Sequence, residues 1–461
     1  MILSPEKRRR AENGLSLVLF SLITGAAVGV VVTLYNVLVS YGDEYSVALY
    51  GEIFLRPYFI PLLLVGLLLA SIVVGTAVRF VPMARGSGIP QTEGAARGLM
   101  RLGGLRTMCT MFACSLAAVF LGMSAGAEGP SVLMGGALGE STGRLCKRTR
   151  EDERVLVASG ASAGLAVAFN APLTGLLFSV EEANRKATPA LLVSALCSVI
   201  SALAVRGGLR ALISLADPGV IPFAPAFSSY DLTALGDFSD IMAVLGIGLL
   251  TAAIAALLGA AFYHAVLGAR TLFGRIDIIH GAGRMAVPFL LAGALGMITP
   301  FAMTGGHGLM EALGTQGGQT EMAVSLRVAS PLMTAVAVIL LLKFLATVCN
   351  MGAGVPCGAF VPMLAIGASG GALLALAFAY AGMPAEWSDI VVMIFVAAFF
   401  TAVVKAPVTG TVMVFELTGS YNFAPLLPVA AAVTTAYLIS VLLRTRPIYD
   451  VLLAGFVPAK I

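Results

Sequence analysis

Three segments of the chain combine glycines with a proline at the start of an apolar stretch: GSGIP at residues 86–90, GAEGP at 126–130 and GAFVP at 358–362. Proline suits the first turn of a helix, because its missing N–H group would have no partner there. The preceding glycines let the backbone bend and leave neighbouring amides uncovered. A helix that begins in this way inside a membrane presents free N–H groups and a partial positive charge, which favour an anion. Three such starts could hold an anion without a full positive charge, so that the anion can also leave.

One carboxylate lies inside the second of these segments. Glu128 is surrounded by apolar and small residues, and an acid at membrane depth is costly enough to suggest a function. Deprotonated, it can occupy the anion site as a tethered competing anion; protonated, it swings away and admits the free anion. Proton and anion movement would then be linked through one side chain. The alternative is an N-cap carboxylate that only stabilises its helix.

Further charged residues end or interrupt apolar runs. Glu181 and Glu182 close one apolar segment just before Arg185, so either acid could be an interfacial, salt-bridged cap. Glu416 ends another apolar segment, and we expect a structural role for it. Lys343 lies within an apolar run, where it could snorkel or pair with an acid; the sequence assigns it no function.

The composition predicts that these residues sit in a membrane. Of the 461 residues, 59% are hydrophobic and 11% charged, against about 25% charged in soluble domains. Long apolar stretches recur at about 15–41, 57–81, 106–123, 190–205, 241–269, 285–303, 331–349, 363–382, 388–404 and 424–443. Shorter ones at 130–139 and 171–180 indicate broken half-helices. The predicted fold class is an all-α polytopic membrane protein.

Basic clusters predict the orientation. Lysines and arginines precede the first stretch at residues 7–10, recur at 144–154 and return at 444–446. Acidic residues at 43–52 fall in what reads as the next loop. The excess of basic residues on the cytoplasmic side places both termini in the cytoplasm. The net charge of +4 is unremarkable, and no nucleic-acid partner is expected.

The chain contains an internal repeat. APLTG at residues 171–175 matches APVTG at 406–410, an offset of 235 residues (406 − 171), and Glu181 matches Glu416 at the same offset. GAEGP matches GAFVP at an offset of 232 residues (358 − 126). Transporters are commonly built from such repeats, with the binding site where they meet. We expect one transmembrane domain over residues 1–461, with a first repeat at about 15–212, a second at about 238–443 and short tails.

Enzyme chemistry has little support. GASAG at residues 160–164 fits the GxSxG nucleophile pattern, which needs a strand–turn–helix context and a partner histidine. Here it lies in an Ala/Gly-rich helical stretch, and no histidine precedes His264. We interpret it as a helix-packing surface and expect no enzyme activity. No metal-ligand spacing occurs, so no metal or cofactor is expected.

The motifs resemble those of the CLC family of chloride channels and transporters. Its hallmarks are GSGIP, GxEGP and GxFxP in that order, followed by a late tyrosine, here Tyr449. The resemblance spans essentially the whole chain. It implies two inverted-topology halves with half-helices meeting at a mid-membrane anion site. It further implies a homodimer in the lipid bilayer, with one anion path per subunit.

The resemblance also implies residue roles. Ser87 and Tyr449 look like hydroxyl donors to the central anion, and the backbone amides of Ala359 and Phe360 look like its other donors. Glu128 resembles the gating glutamate. Glu182 resembles the internal glutamate that passes protons in the family's exchangers; channels of the family usually lack it.

These roles favour proton-coupled chloride antiport in a prokaryotic cytoplasmic membrane, since serine at position 87 suggests chloride and the chain lacks the paired regulatory domains of eukaryotic members. The alternative is a gated chloride channel on the same scaffold, in which Glu128 gates but no proton crosses. Two departures bear on rate and coupling: Ala127 replaces a frequent arginine, and Ala359 replaces a bulkier aliphatic residue.

Overall fold

A computed structural model describes residues 5–216, 227–276, 282–314, 332–420 and 422–457. The regular elements in these ranges are helices, joined by short loops. The helices before residue 217 are α1 Pro5–Leu55, α2 Ile60–Phe80, α3 Ile89–Ala96, α4 Leu105–Phe120, α5 Glu128–Leu145, α6 Arg150–Phe169, α7 Pro172–Phe178 and α8 Pro189–Ala216. Those after residue 226 are α9 Phe238–Gly274, α10 Ala286–Ile298, α11 His307–Leu313, α12 Leu332–Ala353, α13 Phe360–Tyr380, α14 Ser388–Val404, α15 Pro407–Thr418, α16 Leu426–Leu442 and α17 Ile448–Leu453.

The helix bounds confirm the predicted membrane architecture. Each of the ten long apolar stretches falls on a helix, and the stretch at 388–404 coincides with α14. Within the described ranges, seven helices are long and apolar enough to cross a membrane. Large apolar side chains cover the outside of these helices, as expected for surfaces that face lipid.

One predicted loop was wrong. Asp43, Glu44 and Glu52 lie inside α1, which continues to Leu55. No proline interrupts the chain between residues 41 and 56, and the helix ends where Arg56 precedes Pro57, because the residue before a proline is pushed out of the helical region. Acidic residues alone do not end a helix.

Helices α5 and α6 pack at backbone contact. A Cβ atom added to Gly135 would lie 2.1 Å from the carbonyl oxygen of Gly160, and one added to Gly160 would lie 2.2 Å from that of Gly135. A Cβ atom added to Gly164 would lie 2.2 Å from the carbonyl oxygen of Ser131. Small residues permit this approach between membrane helices. The GASAG segment at 160–164 is therefore a packing surface, as predicted.

The two APxTG segments are capped reciprocally. Glu181, just after α7, accepts hydrogen bonds from the backbone N–H of Thr409 (2.7 Å) and of the preceding residue (3.0 Å) at the start of α15. Glu416, in α15, accepts the equivalent bonds from Thr174 (2.7 Å) and its preceding residue (2.8 Å) at the start of α7. Each carboxylate thus satisfies helix-start amides of the other half. Glu416 has the structural role predicted, and Glu181 shares it.

Replacing Glu416 with glutamine is expected to destabilise the protein by about 3 kcal/mol, because charge-assisted bonds to two amides and a hydroxyl are weakened or lost. Thermal unfolding in detergent measures this as a lower midpoint. Glu181→Gln should give a similar loss, since its bonds are equivalent. The exposed Glu386 offers a matched control, whose glutamine variant should unfold at the unchanged temperature. An unchanged midpoint for Glu416→Gln would contradict the capping role.

Candidate functional site

The two repeat-related glycine–proline segments lie side by side. Gly126 donates its N–H to the carbonyl of Gly358 (2.7 Å), and Gly358 donates to the carbonyl of Gly126 (2.9 Å). This isolated antiparallel bridge holds together the beginnings of α5, at Glu128, and α13, at Phe360. The two helix starts therefore open onto one place, as the repeat predicted.

The third segment joins them at the same point. A Cβ atom on Gly129 would lie 2.3 Å from the backbone oxygen of Ser87 and 3.0 Å from the Cα of Gly358. Gly88 is the N-cap of α3, with a φ of 88°, a left-handed conformation that glycine adopts without strain. Glycine is therefore needed at position 88 for its positive φ and at position 129 for the close approach of the backbones.

Two hydroxyl groups of the predicted anion site lack a hydrogen-bond partner within the described part of the chain. The side-chain oxygens of Ser87 and Tyr449 are buried and find no hydrogen-bond partner among the described residues. Tyr449 is fully buried in the first turn of α17. Buried polar groups are nearly always satisfied, so these two hydroxyl groups have hydrogen bonds available for an anion.

Backbone donors face the same junction. Ala359 is the N-cap of α13 and Phe360 its first residue, and the first N–H groups of a helix lack intrahelical partners. The Phe360 ring is fully buried and packs against the rings of Phe169 (5.1 Å between centroids) and Phe400 (4.8 Å). This packing fixes the direction of the helix start.

The Glu128 carboxyl group lies against the start of α13. It is 1% exposed and interacts with the backbone N–H groups of Val361 and of Glu128 itself. Its Oε2 atom has no hydrogen-bond partner among the described residues. A Cβ atom on Gly126 would lie 2.3 Å from this oxygen, so the glycine makes room for the carboxyl group. Because Ala127 is the N-cap, Glu128 is not a conventional N-cap residue.

Glu182 lies in a one-turn π-helix, Ser179–Ala183, that follows α7. It is 1% exposed and forms an ion pair with Arg185, at 3.3 Å. Its backbone carbonyl accepts a hydrogen bond from Arg97 (3.0 Å). Single π-helical turns often occur at functional sites, and this one places the acid beneath the surface.

Asp450 joins Glu182 to the tyrosine segment. It accepts hydrogen bonds from Arg185 (2.6 Å) and Arg97 (2.8 Å), and it follows Tyr449 in the chain. Partial burial raises the pKa of Asp450, but the bonds from Arg97 and Arg185 outweigh it and hold the pKa below its ordinary value. Arg97 and Arg185 thus each contact both Glu182 and Asp450, and they link the two acidic residues in one network.

Sequence reasoning missed Glu93. It is fully buried in α3 and pairs with Arg97 at 3.0 Å, while its Oε1 atom has no partner among the described residues. It interacts electrostatically with Glu182 and with Tyr449. The spacing of Glu93 and Arg97 by four residues was a signal for their ion pair, but the position of the pair between Glu182 and Tyr449 depends on the fold.

A sequence profile of the voltage-gated chloride channel family matches residues 66–441. The chain belongs to this CLC family. Among its relatives is the H(+)/Cl(-) exchange transporter ClcA of Vibrio parahaemolyticus, 30% identical over 452 residues, which cover 96% of this chain and 90% of the relative. ClcA of Vibrio cholerae is 31% identical over 459 residues, covering 95% and 89% of the two chains.

Solved structures share the CLC fold. A slow cyanobacterial Cl−/H+ antiporter superposes with a TM-score of 0.80 at 23% identity, covering 96% of this chain and 98% of the other. A eukaryotic CLC transporter superposes with a TM-score of 0.71 at 21% identity, covering 95% and 74%. The all-helical membrane fold predicted from the sequence is confirmed.

The two departures from the CLC pattern occupy equivalent positions. Ala127 and Ala359 are the N-caps of α5 and α13 and are both buried. Alanine at 127 places no charge beside Glu128.

Lys343, to which the sequence assigned no function, is fully buried in α12. Its ammonium group donates to the carbonyls of Met303 (2.7 Å) and Thr304 (2.6 Å).

A cavity of ≈ 210 Å³ reaches the junction from one side. Ser87 and Ala359 line it, and so does Phe456, in the segment after α17. Residues at the ends of α9 and α12 also line it. The cavity therefore extends from Ser87, at the junction, to the segment after α17.

Proposed function

We propose that this CLC protein exchanges chloride for protons across a prokaryotic cytoplasmic membrane. The observation that carries the proposal is the junction of three helix starts, where the Glu128 carboxyl lies against α13. The hydroxyls of Ser87 and Tyr449 have no hydrogen-bond partner among the described residues. The amides of Ala359 and Phe360 complete the donor set for chloride. ClcA relatives at about 30% identity, named as H(+)/Cl(-) exchangers, support the same function.

In this proposal, protons and chloride compete at one position. An ionised Glu128 fills the space at the α13 start, and protonation releases it so that chloride enters. Glu182 forms a network with Arg185 and Asp450, and in the proposed orientation it delivers protons from the cytoplasmic side. Binding of either ion thus displaces the other.

A passive chloride channel is the second candidate. The 3.3 Å ion pair between Glu182 and Arg185 would also suit an acid that only stabilises the end of α7. In that case Glu128 would gate the path, but no proton would cross the membrane.

The assembly and orientation belong to the proposal. We place both termini in the cytoplasm, on the basis of the basic clusters, and we propose a homodimer with one path per subunit. The two repeats, at about 15–212 and 238–443, would be inverted halves of one domain; the reciprocal caps of Glu181 and Glu416 support this.

The function is tested in liposomes that contain the purified protein and more chloride inside than outside. A potassium ionophore sets the membrane potential, and a pH electrode follows the external solution. Chloride efflux should draw protons inward against their gradient. Chloride efflux without proton movement would favour the channel. Protein-free vesicles give the background.

Removing either hydroxyl should weaken chloride binding. For Ser87→Ala and for Tyr449→Phe we expect about tenfold weaker binding each, since a hydrogen bond to a charged group contributes roughly 1.5–3 kcal/mol. Isothermal titration of the detergent-solubilised protein with chloride measures this. Tyr230→Phe is the matched control. Its hydroxyl is also buried and without a hydrogen-bond partner among the described residues, but it interacts electrostatically with Asp389, whereas Tyr449 interacts with Glu128. Unchanged affinity in both site variants would contradict the assigned anion position.

A further inference from the structure

Three arginines from separate elements converge on the cavity that leads to Ser87. Arg85 directly precedes the GSGIP segment, Arg270 lies near the end of α9, and Arg284 lies just before α10. All three line the cavity of ≈ 210 Å³. The volume of this cavity is much larger than the volume of a single chloride ion.

No carboxylate neutralises these three groups within the described part of the chain. Arg85 stacks on the ring of Phe456, 4.8 Å from its centroid. Arg270 donates to the backbone carbonyl of Val451 (2.8 Å). Arg284 has a buried Nε atom without a hydrogen-bond partner. Two of the guanidinium groups are thus held in place by uncharged contacts, and the third has an unused donor.

Arg270 and Arg284 both act on the charge of Arg85. Burial, followed by repulsion from Arg284 and Arg270, lowers the pKa of Arg85. Like charges held together in a partly buried space are costly unless an anion compensates for them. One chloride ion supplies a single charge and no geometric match to a planar, forked guanidinium. Phosphate oxygens supply several charges and match that fork in pairs.

We propose that this cavity binds a phosphate-bearing anion with at least two negative charges, and that the bound anion blocks the path to Ser87. Phe456, in the segment after α17, lines the cavity, and the proposed orientation makes this side of the protein cytoplasmic. The blocking effect rests on the proposed transport function; the binding does not. The phosphate could belong to a dissolved compound or to a lipid headgroup, and the experiment separates these sources.

Binding is measured first, with pyrophosphate titrated into the protein in a neutral, phosphate-free detergent. We expect saturable binding that Arg284→Gln weakens by about tenfold and that Arg284→Lys weakens less, because lysine keeps the charge. Arg275→Gln is the control: Arg275 is exposed nearby but does not line the cavity, so its loss should leave binding unchanged. Absence of saturable binding, or equal weakening by Arg275→Gln, overturns the proposal.

Chloride flux is measured second, in phosphatidylcholine vesicles with pyrophosphate on the cytoplasmic side only. Inhibition that Arg284→Gln relieves supports block by a dissolved anion. Inhibition that instead requires phosphatidylglycerol in the vesicles, and that Arg284→Gln also relieves, identifies the headgroup as the source. Binding without any effect on chloride flux overturns the blocking role. If pyrophosphate binds but the protein moves no chloride at all, the proposed transport function fails while the binding site stands.

Discussion

Replacing Glu128 with alanine is expected to reduce proton movement to the leak of protein-free vesicles, while chloride flux continues and loses its dependence on pH. The carboxyl group lies at the start of α13, where it competes with chloride in the proposed mechanism. Alanine cannot carry a proton or occupy the anion position, so the path should stay open at every pH. Chloride-driven proton uptake and chloride efflux, each measured over a range of pH, report the two effects.

Glu128→Gln separates charge from size in the same experiment, since it mimics the protonated side chain and should behave like alanine in proton transport. Glu386→Gln, at an exposed position, should keep coupled transport unchanged. Persistent uphill proton movement in Glu128→Ala would contradict the role of Glu128 as the shared site for both ions.

Replacing Glu182 with glutamine is expected to stop proton movement while chloride flux remains, because the substitution removes the buried acid that we propose supplies protons from the cytoplasmic side. The fold should survive, since Arg97 holds the backbone carbonyl of residue 182 rather than its side chain. Arg97 and Arg185 also keep their bonds to Asp450. The same vesicle assay gives the proton-to-chloride ratio.

The neighbouring acid provides the control for Glu182. Glu181→Gln should lower the thermal midpoint, because Glu181 caps α15, yet leave the ratio of protons to chloride unchanged in the folded protein. Unaltered coupling in Glu182→Gln would assign Glu182 a purely structural role. Glu93, the other buried acid of this network, would then be the next candidate for proton transfer.

The sequence predicted the parts of the site that its local chemistry encodes. Glycine followed by proline indicates where a helix begins, so the starts of α5 and α13 could be predicted. The repeat that relates the two segments indicated that these starts meet. The repeat also matched Glu181 with Glu416, although it did not reveal that each caps the other's helix. The apolar stretches predicted the positions of the long helices, because a helix that faces lipid requires a continuous apolar sequence.

Other features depend on distant parts of the chain. Continuation of α1 through Asp43 and Glu44 was missed because acidic residues are a weak signal of a helix end. Glu93 carries no recognisable motif, and its importance comes from burial beside Arg97 and Glu182. The convergence of Arg85 with Arg284 was invisible because about 200 residues separate them in sequence, whereas side-chain periodicity reports only on neighbours within one element.

The most direct test of coupled exchange is the reversal potential of the reconstituted protein in a planar bilayer with equal chloride on both sides and a pH difference between them. A chloride–proton antiporter must reverse at a potential displaced from zero, because the proton gradient contributes to the driving force of every cycle. We predict such a displacement, and we predict that Glu182→Gln abolishes it. A wild-type current that reverses at zero under the pH difference would contradict proton coupling and identify the protein as a chloride channel.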